Sequence, residues 1–281
     1  MFNDLISAIN REGLDVHAIE VLKNGIAAER HIFDEDRRYP VYSITKSVTS
    51  SAFSMLCDDG LLSPDMPLYR FLPNGYEEYM TDSFKALTFE RFLTMTAGDL
   101  PFRPTGEDWL ENCLTLDTDN SDTGYHYSNI PAYLVGVACE NVCGSSMGDF
   151  LEKRLFDPLG IKMPKFAADG QGRYYGATGI ELTVHELSML GQLYLQNGSW
   201  NGFQIISEDS VRTAVASHVR IIEGGYGYFF RTKSDHYMMS GKWGQRCIIY
   251  PEKNAVISYL SHLPENSDRI EQLVEEYAGS F

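Results

Sequence analysis

Two pairs of residues in this sequence have the types and spacing needed for nucleophilic catalysis. Ser43 and Lys46 lie three positions apart in Ser43-Ile-Thr-Lys46. On a helix this spacing places both side chains on one face, where an amine can polarise the hydroxyl or accept its proton. Tyr127 and Asn129 form the second pair. A phenol beside the Lys46 ammonium would have a lowered pKa and could relay the Ser43 proton, and Asn129 could orient Lys46 and a substrate carbonyl.

Each pair also has a structural interpretation that involves no chemistry. Ser43 could serve only as the N-cap of a helix, with Lys46 as a solvated side chain. Tyr127 could belong to the core, and Asn129 could cap the helix that Pro131 opens. In a chain of 281 residues Ser-x-x-Lys and Tyr-x-Asn can each occur by chance. The sequence around them therefore has to decide between the catalytic and the structural interpretation.

The segment that follows Ser43 predicts a buried helix over residues 43–58. Apolar residues recur at helical spacing as far as Leu56, and Asp58-Asp-Gly60 ends the run. The opposite face carries small hydroxyl side chains where a solvated face would carry Glu, Lys and Gln, namely Ser47, Ser50, Ser51 and Ser54. Such a helix can pack closely on all sides. Its N-terminus would place Ser43 where free backbone N–H groups stabilise a developing oxyanion.

The rest of the chain predicts an α+β fold around an antiparallel sheet flanked by helices. Asn24-Gly25 joins two strand-like runs at 16–22 and 27–33 as a type I′ hairpin. Further strands are predicted at 227–232, 236–240, 246–250 and 255–261, and helices at 43–58, 88–96, 131–142, 146–156, 183–196, 207–216 and 265–277. We expect one domain, 1–281, in which an α/β lobe (about 1–60 and 170–281) holds an inserted, mostly helical lobe (about 61–169), with Ser43 and Tyr127 between them.

Four segments of the chain, in order and at similar spacing, resemble the class C β-lactamases and related penicillin-binding-protein-like serine hydrolases. They are Ser43-Ile-Thr-Lys46, the segment 87–98, Tyr127-Ser-Asn129 and Phe156-Asp-Pro-Leu-Gly160. The resemblance covers nearly the whole chain from about Asp15. It implies a β-lactamase/transpeptidase-like fold with Ser43 as the acyl-accepting nucleophile and Lys46 as its partner. It also implies that Tyr127 is the general base and acid and that Asn129 orients the substrate.

One element of that family's pattern is missing from its expected place. The β-lactamases and transpeptidases carry Lys-Thr/Ser-Gly on the strand beside the site, where the triplet helps to bind a substrate carboxylate. An ungapped count places His236-Tyr-Met238 there, while Ser240-Gly-Lys242 lies nearby in a different register. We therefore expect His236 to contact the substrate, unless it is an ordinary residue at a strand end. We expect the backbone N–H of Met239 to be the second oxyanion donor beside that of Ser43.

These residues predict a serine hydrolase that cleaves a small-molecule ester or amide through a Ser43 acyl-enzyme, with Lys46 and Tyr127 as proton-transfer partners. We expect no cofactor, and no Cys or His cluster has the spacing of metal ligands. One alternative is a β-lactamase or D-alanyl peptidase, which the missing triplet disfavours. Another is a non-catalytic member of the fold that binds a small ligand or a partner, which the presence of all the catalytic residue types disfavours.

A rival serine lies in Gly144-Ser-Ser146-Met-Gly148, which matches the Gly-x-Ser-x-Gly nucleophile elbow of α/β-hydrolases. An elbow needs a buried strand before the serine, whereas residues 131–142 have helical periodicity. We interpret Gly144 as the end of one helix and Ser145 or Ser146 as the N-cap of the next.

The composition disfavours several classes of function. A formal net charge of −16 opposes binding to nucleic acid and to anionic membranes, and it favours neutral or cationic substrates. The five cysteines lack the density of a disulfide framework. The start of the chain lacks a basic signal-peptide region, and no run of eighteen apolar residues occurs, so we expect a cytoplasmic protein if Met1 is the natural start. The sequence carries no signature of the oligomeric state.

Overall fold

The computed structural model describes all 281 residues. Its strands are β1 (Val16–Lys23), β2 (Ile26–Ile32), β3 (Tyr39–Pro40), β4 (Glu181–Leu182), β5 (Ser199–Trp200), β6 (Phe203–Gln204), β7 (Val219–Ile221), β8 (Gly224–Tyr226), β9 (Arg231–Thr232), β10 (Tyr237–Gly241), β11 (Gln245–Tyr250) and β12 (Ala255–Ser261). Its helices are α1 (Phe2–Arg11), α2 (Ile44–Asp58), α3 (Asp82–Lys85), α4 (Phe89–Leu93), α5 (Trp109–Leu114), α6 (Ile130–Cys143), α7 (Met147–Leu151), α8 (Asp157–Leu159), α9 (Val184–Leu195), α10 (Glu208–Val215) and α11 (Ser267–Ala278). None of these helices combines the length and the hydrophobicity needed to cross a membrane.

Eight strands form one antiparallel sheet in the order β2-β1-β12-β11-β10-β9-β8-β7. The first and last strands of the chain are neighbours in this sheet, because β1 pairs with β12 from Val16 opposite Ser261 to Lys23 opposite Ala255. Asn24 and Gly25 both have positive φ, as a type I′ turn between β1 and β2 requires. The predicted α+β class and its antiparallel sheet are confirmed.

Helices cover both faces of this sheet, and side-chain alternation along each strand divides the residues between two cores. On one face, α1 and α11 bury apolar side chains against Met238, Ile248 and Ile257. On the other face, α2 and α9 pack with the neighbouring residues Met239 and Cys247 in the larger core. A residue's position along β10 therefore decides which core it enters.

The α2 helix lies inside the molecule, as its hydroxyl-rich face predicts. Residues 44–56 are all buried. The hydroxyls on this face bond to neighbouring segments: Ser47 Oγ donates to the Phe229 carbonyl at 2.8 Å, Thr49 Oγ1 donates to the Gly176 carbonyl at 2.8 Å, and Ser51 Oγ lies 2.8 Å from the Tyr194 hydroxyl. Small side chains let α2 contact α6, α10 and β10 closely, and most of its buried hydroxyls have a partner, although the Ser50 hydroxyl has none.

The predicted strand at 227–232 is wrong over most of its length. The chain turns back here, and β8 pairs with β9, with Gly225 opposite Thr232 and Tyr226 opposite Arg231. Phe229 lies inside this turn with φ of 62°, a left-handed conformation that cannot continue a strand. The apolar run Tyr228-Phe229-Phe230 resembles a buried strand in sequence, but its side chains are buried in the core at a turn.

The rival serine motif lies where two helices meet. Gly144 ends α6 in the left-handed conformation, with φ of 69°. Ser146 caps α7, since its Oγ accepts a hydrogen bond from the Asp149 N–H at 3.0 Å. The residues before Ser146 are helical, so the segment lacks the strand of a nucleophile elbow.

Candidate active site

Ser43 is presented by a strained backbone at the start of α2. Tyr42, immediately before it, has φ of 48°, which is unusual for a bulky side chain and has to be held by its surroundings. The Tyr42 and Trp243 rings pack in a T-shaped arrangement with their centroids 5.1 Å apart, and the Val41 N–H donates to the Ile180 carbonyl. Ser43 occupies the N-cap position, but its side chain makes no capping hydrogen bond. The Ser43 hydroxyl is therefore available for chemistry.

Lys46 is buried with no acidic partner. Only 1% of its surface is exposed. Its Nζ lies 3.0 Å from Ser43 Oγ, 2.7 Å from Asn129 Oδ1 and 3.0 Å from the Ala177 carbonyl oxygen. Desolvation lowers the pKa of Lys46 to about 7 because no nearby negative charge compensates for the buried ammonium. The interpretation of Lys46 as a solvated surface charge is wrong.

The three contacts of Lys46 suit a neutral amine. The amide oxygen of Asn129 and the carbonyl oxygen of Ala177 can only accept hydrogen bonds. The two N–H groups of a neutral Lys46 satisfy these two acceptors, which leaves the nitrogen lone pair directed at the Ser43 hydroxyl, 3.0 Å away. Lys46 can therefore accept the proton of Ser43 without any rearrangement of its partners.

Asn129 fixes the position of Lys46 from the start of α6. Its Oδ1 accepts from Lys46, and its Nδ2 donates to the Tyr175 hydroxyl at 3.1 Å. Its backbone N–H donates to the Phe102 carbonyl at 2.8 Å. Asn129 stands at the N-cap of α6, but its side chain forms no capping hydrogen bond. Both the oxygen and the nitrogen of the Asn129 amide are therefore hydrogen-bonded, which holds the side chain in place beside Lys46.

Tyr127 forms one side of the space above Ser43. Its residue surface is 39% exposed, and Lys46 Nζ lies 5.0 Å from the centre of its ring. Although part of the residue surface is exposed, the protein around the phenol desolvates it and raises the pKa of Tyr127, while hydrogen bonding to Ser43 and the charge of Arg231 act in the opposite direction. The expectation of a lowered pKa is wrong, because Lys46 faces the ring and is itself partly neutral. Tyr127 is therefore protonated at neutral pH and suited to donate a proton.

A cavity of about 460 Å³ opens above these residues. Aromatic rings form most of its wall, contributed by Tyr42, Phe102, Tyr125, Tyr127, Tyr226 and Phe229. Polar side chains at its base and rim come from Ser43, Asn129, Thr178, Arg231, Ser240 and Lys242. The cavity brings together residues from distant parts of the chain around one hydroxyl, and most of its lining favours an apolar substrate body.

The structure corrects the prediction for His236. His236 lies one position before β10 and, by alternation, on the same side as Met238, which is the side covered by α1 and α11. Its Nδ1 lies 2.7 Å from Asp235 Oδ1, its Nε2 lies 3.6 Å from Glu275 Oε1, and it does not line the cavity. His236 is thus a buried residue beside α11.

The cavity meets β10 further along the strand. Ser240, Gly241 and Lys242 line it. Because β9 pairs only with Tyr237 and Met238, the edge of β10 from Met239 onward has no strand partner on that side. The side chain of Met239 is buried in the larger core, whereas its backbone belongs to this unpaired edge. The Met239 N–H as an oxyanion donor stays a prediction.

Comparison with known proteins gives the family of this chain. A family model described as Beta-lactamase matches residues 20–276. The chain belongs to the β-lactamase family. The 6-aminohexanoate-dimer hydrolase of Paenarthrobacter ureafaciens is 21% identical over 277 residues, covering 84% of this chain and 69% of that protein. The predicted family resemblance is confirmed, and the relative supports a hydrolase.

Solved structures of penicillin-binding proteins and their homologues share the fold. A penicillin-binding protein homologue from Caulobacter crescentus superimposes with a TM-score of 0.78 at 17% identity, covering 99% of this chain and 96% of its own. A penicillin-binding protein from Bacillus halodurans gives a TM-score of 0.75 at 15% identity, covering 97% and 99%. At these identities the similarity shows a common fold.

Several residues of this β-lactamase-family site escaped the sequence analysis. The Ala177 carbonyl is a backbone group 131 positions from Lys46, and nothing in the sequence indicates such a contact. Phe229 lies inside a turn that resembles a strand in the sequence. Arg231 had a recognisable signal, because it is a charged residue directly after the apolar run Tyr228-Phe229-Phe230.

Proposed function

We propose that this protein is a serine hydrolase that cleaves an ester or amide of a small molecule through an acyl-enzyme on Ser43. The observation that carries the proposal is the environment of Lys46. An amine buried without a counter-charge, with its two other neighbours able only to accept, is arranged to take the proton of the Ser43 hydroxyl at 3.0 Å.

Acylation follows from this arrangement. Lys46 accepts the hydroxyl proton as Ser43 Oγ attacks the carbonyl carbon, and the carbonyl oxygen becomes an oxyanion. The N–H of Ser43 at the start of α2 is one donor to this oxyanion, and an N–H from the unpaired edge of β10, at Met239 or a neighbour, is the second. The oxyanion then collapses and the bond to the leaving group breaks.

Tyr127 supplies the proton that the leaving group needs. Its raised pKa keeps the phenol protonated at neutral pH, and Lys46 beside it can return the proton that it took from Ser43. A water molecule then attacks the acyl-enzyme, gives its proton back through the same two residues to Ser43 Oγ, and releases the acid. The cycle needs no cofactor.

Two other functions are less well supported. The β-lactamases and D-alanyl peptidases that the sequence resembles use a Lys-Thr/Ser-Gly triplet to bind a substrate carboxylate. The strand edge at this cavity carries Ser240-Gly-Lys242 instead, which does not match that triplet. A non-catalytic binding protein would not need the buried Lys46 amine, whose desolvation lowers the stability of the fold. The name of the relative, 6-aminohexanoate-dimer hydrolase, is that of a hydrolase and supports the catalytic alternative.

Intact-protein mass spectrometry tests the proposal. After incubation with a fluorophosphonate, the wild type gains one adduct, and Ser43→Ala gains none and loses turnover of p-nitrophenyl acetate. Ser146→Ala is the matched control, because Ser146 only caps α7: it keeps the adduct and turnover while losing about 1 kcal/mol of stability. A stable penicillin adduct on Ser43 would favour the β-lactam-recognising branch. No adduct on any serine, without turnover, would favour a binding protein.

A further inference from the structure

A second cavity adjoins the one that contains Ser43. It has a volume of about 580 Å³ and is lined by Tyr125, Arg220, Ile221, Ile222, Glu223 and Arg231. Tyr125 and Arg231 line both cavities, so they form the boundary between them. A molecule bound at Ser43 can extend past these two side chains into the second cavity.

The hairpin of β7 and β8 forms the outer side of this second cavity. Its turn carries Ile222, which is fully exposed, and Glu223. Gly224 follows with φ of 140°, and a Cβ there would lie 2.3 Å from the Thr232 carbonyl oxygen of β9. Only glycine permits this close approach, which holds the turn against the strand that carries Arg231. The lining residues from Arg220 to Arg231 therefore lie on the paired strands β7, β8 and β9 or on the turns that connect them.

Positive charge is concentrated at these two cavities. The whole chain has a net charge of −16, yet the charged residues that line the cavities are Arg220, Arg231 and Lys242 against a single acid, Glu223. Arg231 is ion-paired with Glu223, which is 55% exposed. Because a solvated ion pair contributes little free energy, Arg231 can exchange this carboxylate for another, and its planar guanidinium has donors for both.

We propose that the second cavity is a subsite for a negatively charged arm on the leaving group of the substrate, with Arg231 and Arg220 as its specificity-determining residues. The apolar wall of the catalytic cavity holds the body of the substrate, and the arm passes Tyr125 to reach the two guanidinium groups. This inference rests on the proposed hydrolysis at Ser43, and it opposes the expectation of neutral or cationic substrates drawn from net charge. Local charge at a cleft, more than the total, determines which ligands bind.

The arm is assigned to the leaving group because of Tyr127. Arg231 and Tyr127 line the same cavity, so the guanidinium shares the space around Ser43 with the proposed proton donor. The leaving group has to contact Tyr127 to receive a proton. A charge carried on the leaving group is then directed towards Arg231 and the second cavity.

A pair of isosteric substrates tests this subsite. In 4-acetoxybenzoate and 4-acetoxybenzamide the acyl group is the same, and the leaving group carries either a carboxylate or a neutral amide. We expect the ratio of their kcat/KM values to favour the carboxylate by about tenfold or more in the wild type, as for hydrogen bonds to a charged group. The preference falls as salt is added. Arg220→Gln and Arg231→Gln lower the ratio, and Glu223→Gln raises it by removing the competing carboxylate.

Controls separate the possible outcomes. Arg212→Gln removes an exposed arginine of α10 that pairs with Asp209, and it should leave the ratio unchanged. Because Arg220 is exposed, we expect Arg220→Gln to fold, and its kcat/KM ratio can be measured even if Arg231→Gln fails to fold. A wild-type ratio near one, or a preference only when the anion is on the acyl group, would overturn the subsite while hydrolysis at Ser43 stands. Absence of turnover of both esters, with no fluorophosphonate adduct, would instead contradict the proposed function.

Discussion

Lys46 Nζ lies 2.7 Å from Oδ1 of Asn129, although 83 positions separate the two residues in the chain. The partner of the buried amine is thus a neutral oxygen. A carboxylate at the same distance would hold the ammonium charged, whereas an amide leaves desolvation unopposed and brings the pKa of Lys46 to about 7. This relationship makes Lys46 a base at neutral pH and leads to three predictions.

The rate of acylation should follow the protonation of Lys46. We expect kcat/KM for p-nitrophenyl acetate to rise about tenfold per pH unit below pH 7 and to level off above it, as the amine loses its proton. The measurement is kcat/KM from about pH 5 to pH 9, with each sample brought to one pH before the released phenol is read. Lys46→Arg, which cannot become neutral, should lose about 100-fold or more. A flat wild-type profile would assign the base to another group.

Stability should also depend on pH through Lys46. An unfolded lysine has a pKa near 10.4, so between about pH 7 and that value the unfolded chain binds more protons than the folded one, and stability rises with pH. Relative to Lys46→Met, the free energy of unfolding of the wild type should increase by about 2 kcal/mol from pH 7 to pH 9. Urea denaturation of both proteins at several pH values measures this difference, and other titrating groups cancel.

Below about pH 6 Lys46 is protonated in both states, and the difference between the wild type and Lys46→Met should become constant. A difference that stays constant from pH 6 to pH 9 would mean that the buried amine remains charged in the folded protein. It would contradict the role of Lys46 as a neutral base.

Replacing the amide of Asn129 by a carboxylate should move the pH profile. Asn129→Asp places a negative charge beside Lys46 Nζ, which favours the ammonium, so the inflection of kcat/KM should shift to higher pH by roughly one to three units. The control is Asn141→Asp on the exposed side of the same helix, where Asn141 bonds only to the Phe71 carbonyl. An unchanged inflection in Asn129→Asp would show that Lys46 does not set the profile.

Much of the fold follows from local patterns in the sequence. The type I′ turn at Asn24-Gly25 and the buried, hydroxyl-rich α2 depend on residues within a few positions of each other. The cap at Ser146 is equally local. The same local patterns misassigned 227–232, because Phe229 adopts a left-handed conformation that only its packing in the finished molecule explains.

The candidate site divides in the same way. Ser-x-x-Lys and Tyr-x-Asn in the sequence indicated four side chains that the structure brings together: Ser43, Tyr127 and Asn129 line one cavity, and Lys46 lies buried against Ser43 and Asn129. The face of the sheet on which His236 lies could not be read from an ungapped count, since one residue of register reverses every side chain of a strand. Arg231 joins the cavity through a hairpin that the sequence analysis did not recognise.

By itself, then, the sequence determined the family, the order of most elements and the residue types available for acyl transfer, because these depend on spacing along the chain. Only the tertiary structure decided the protonation of Lys46 and Tyr127 and the positive charge beside the cavity. Those properties come from desolvation and from charges on distant segments, and both exist only once the chain has folded around them.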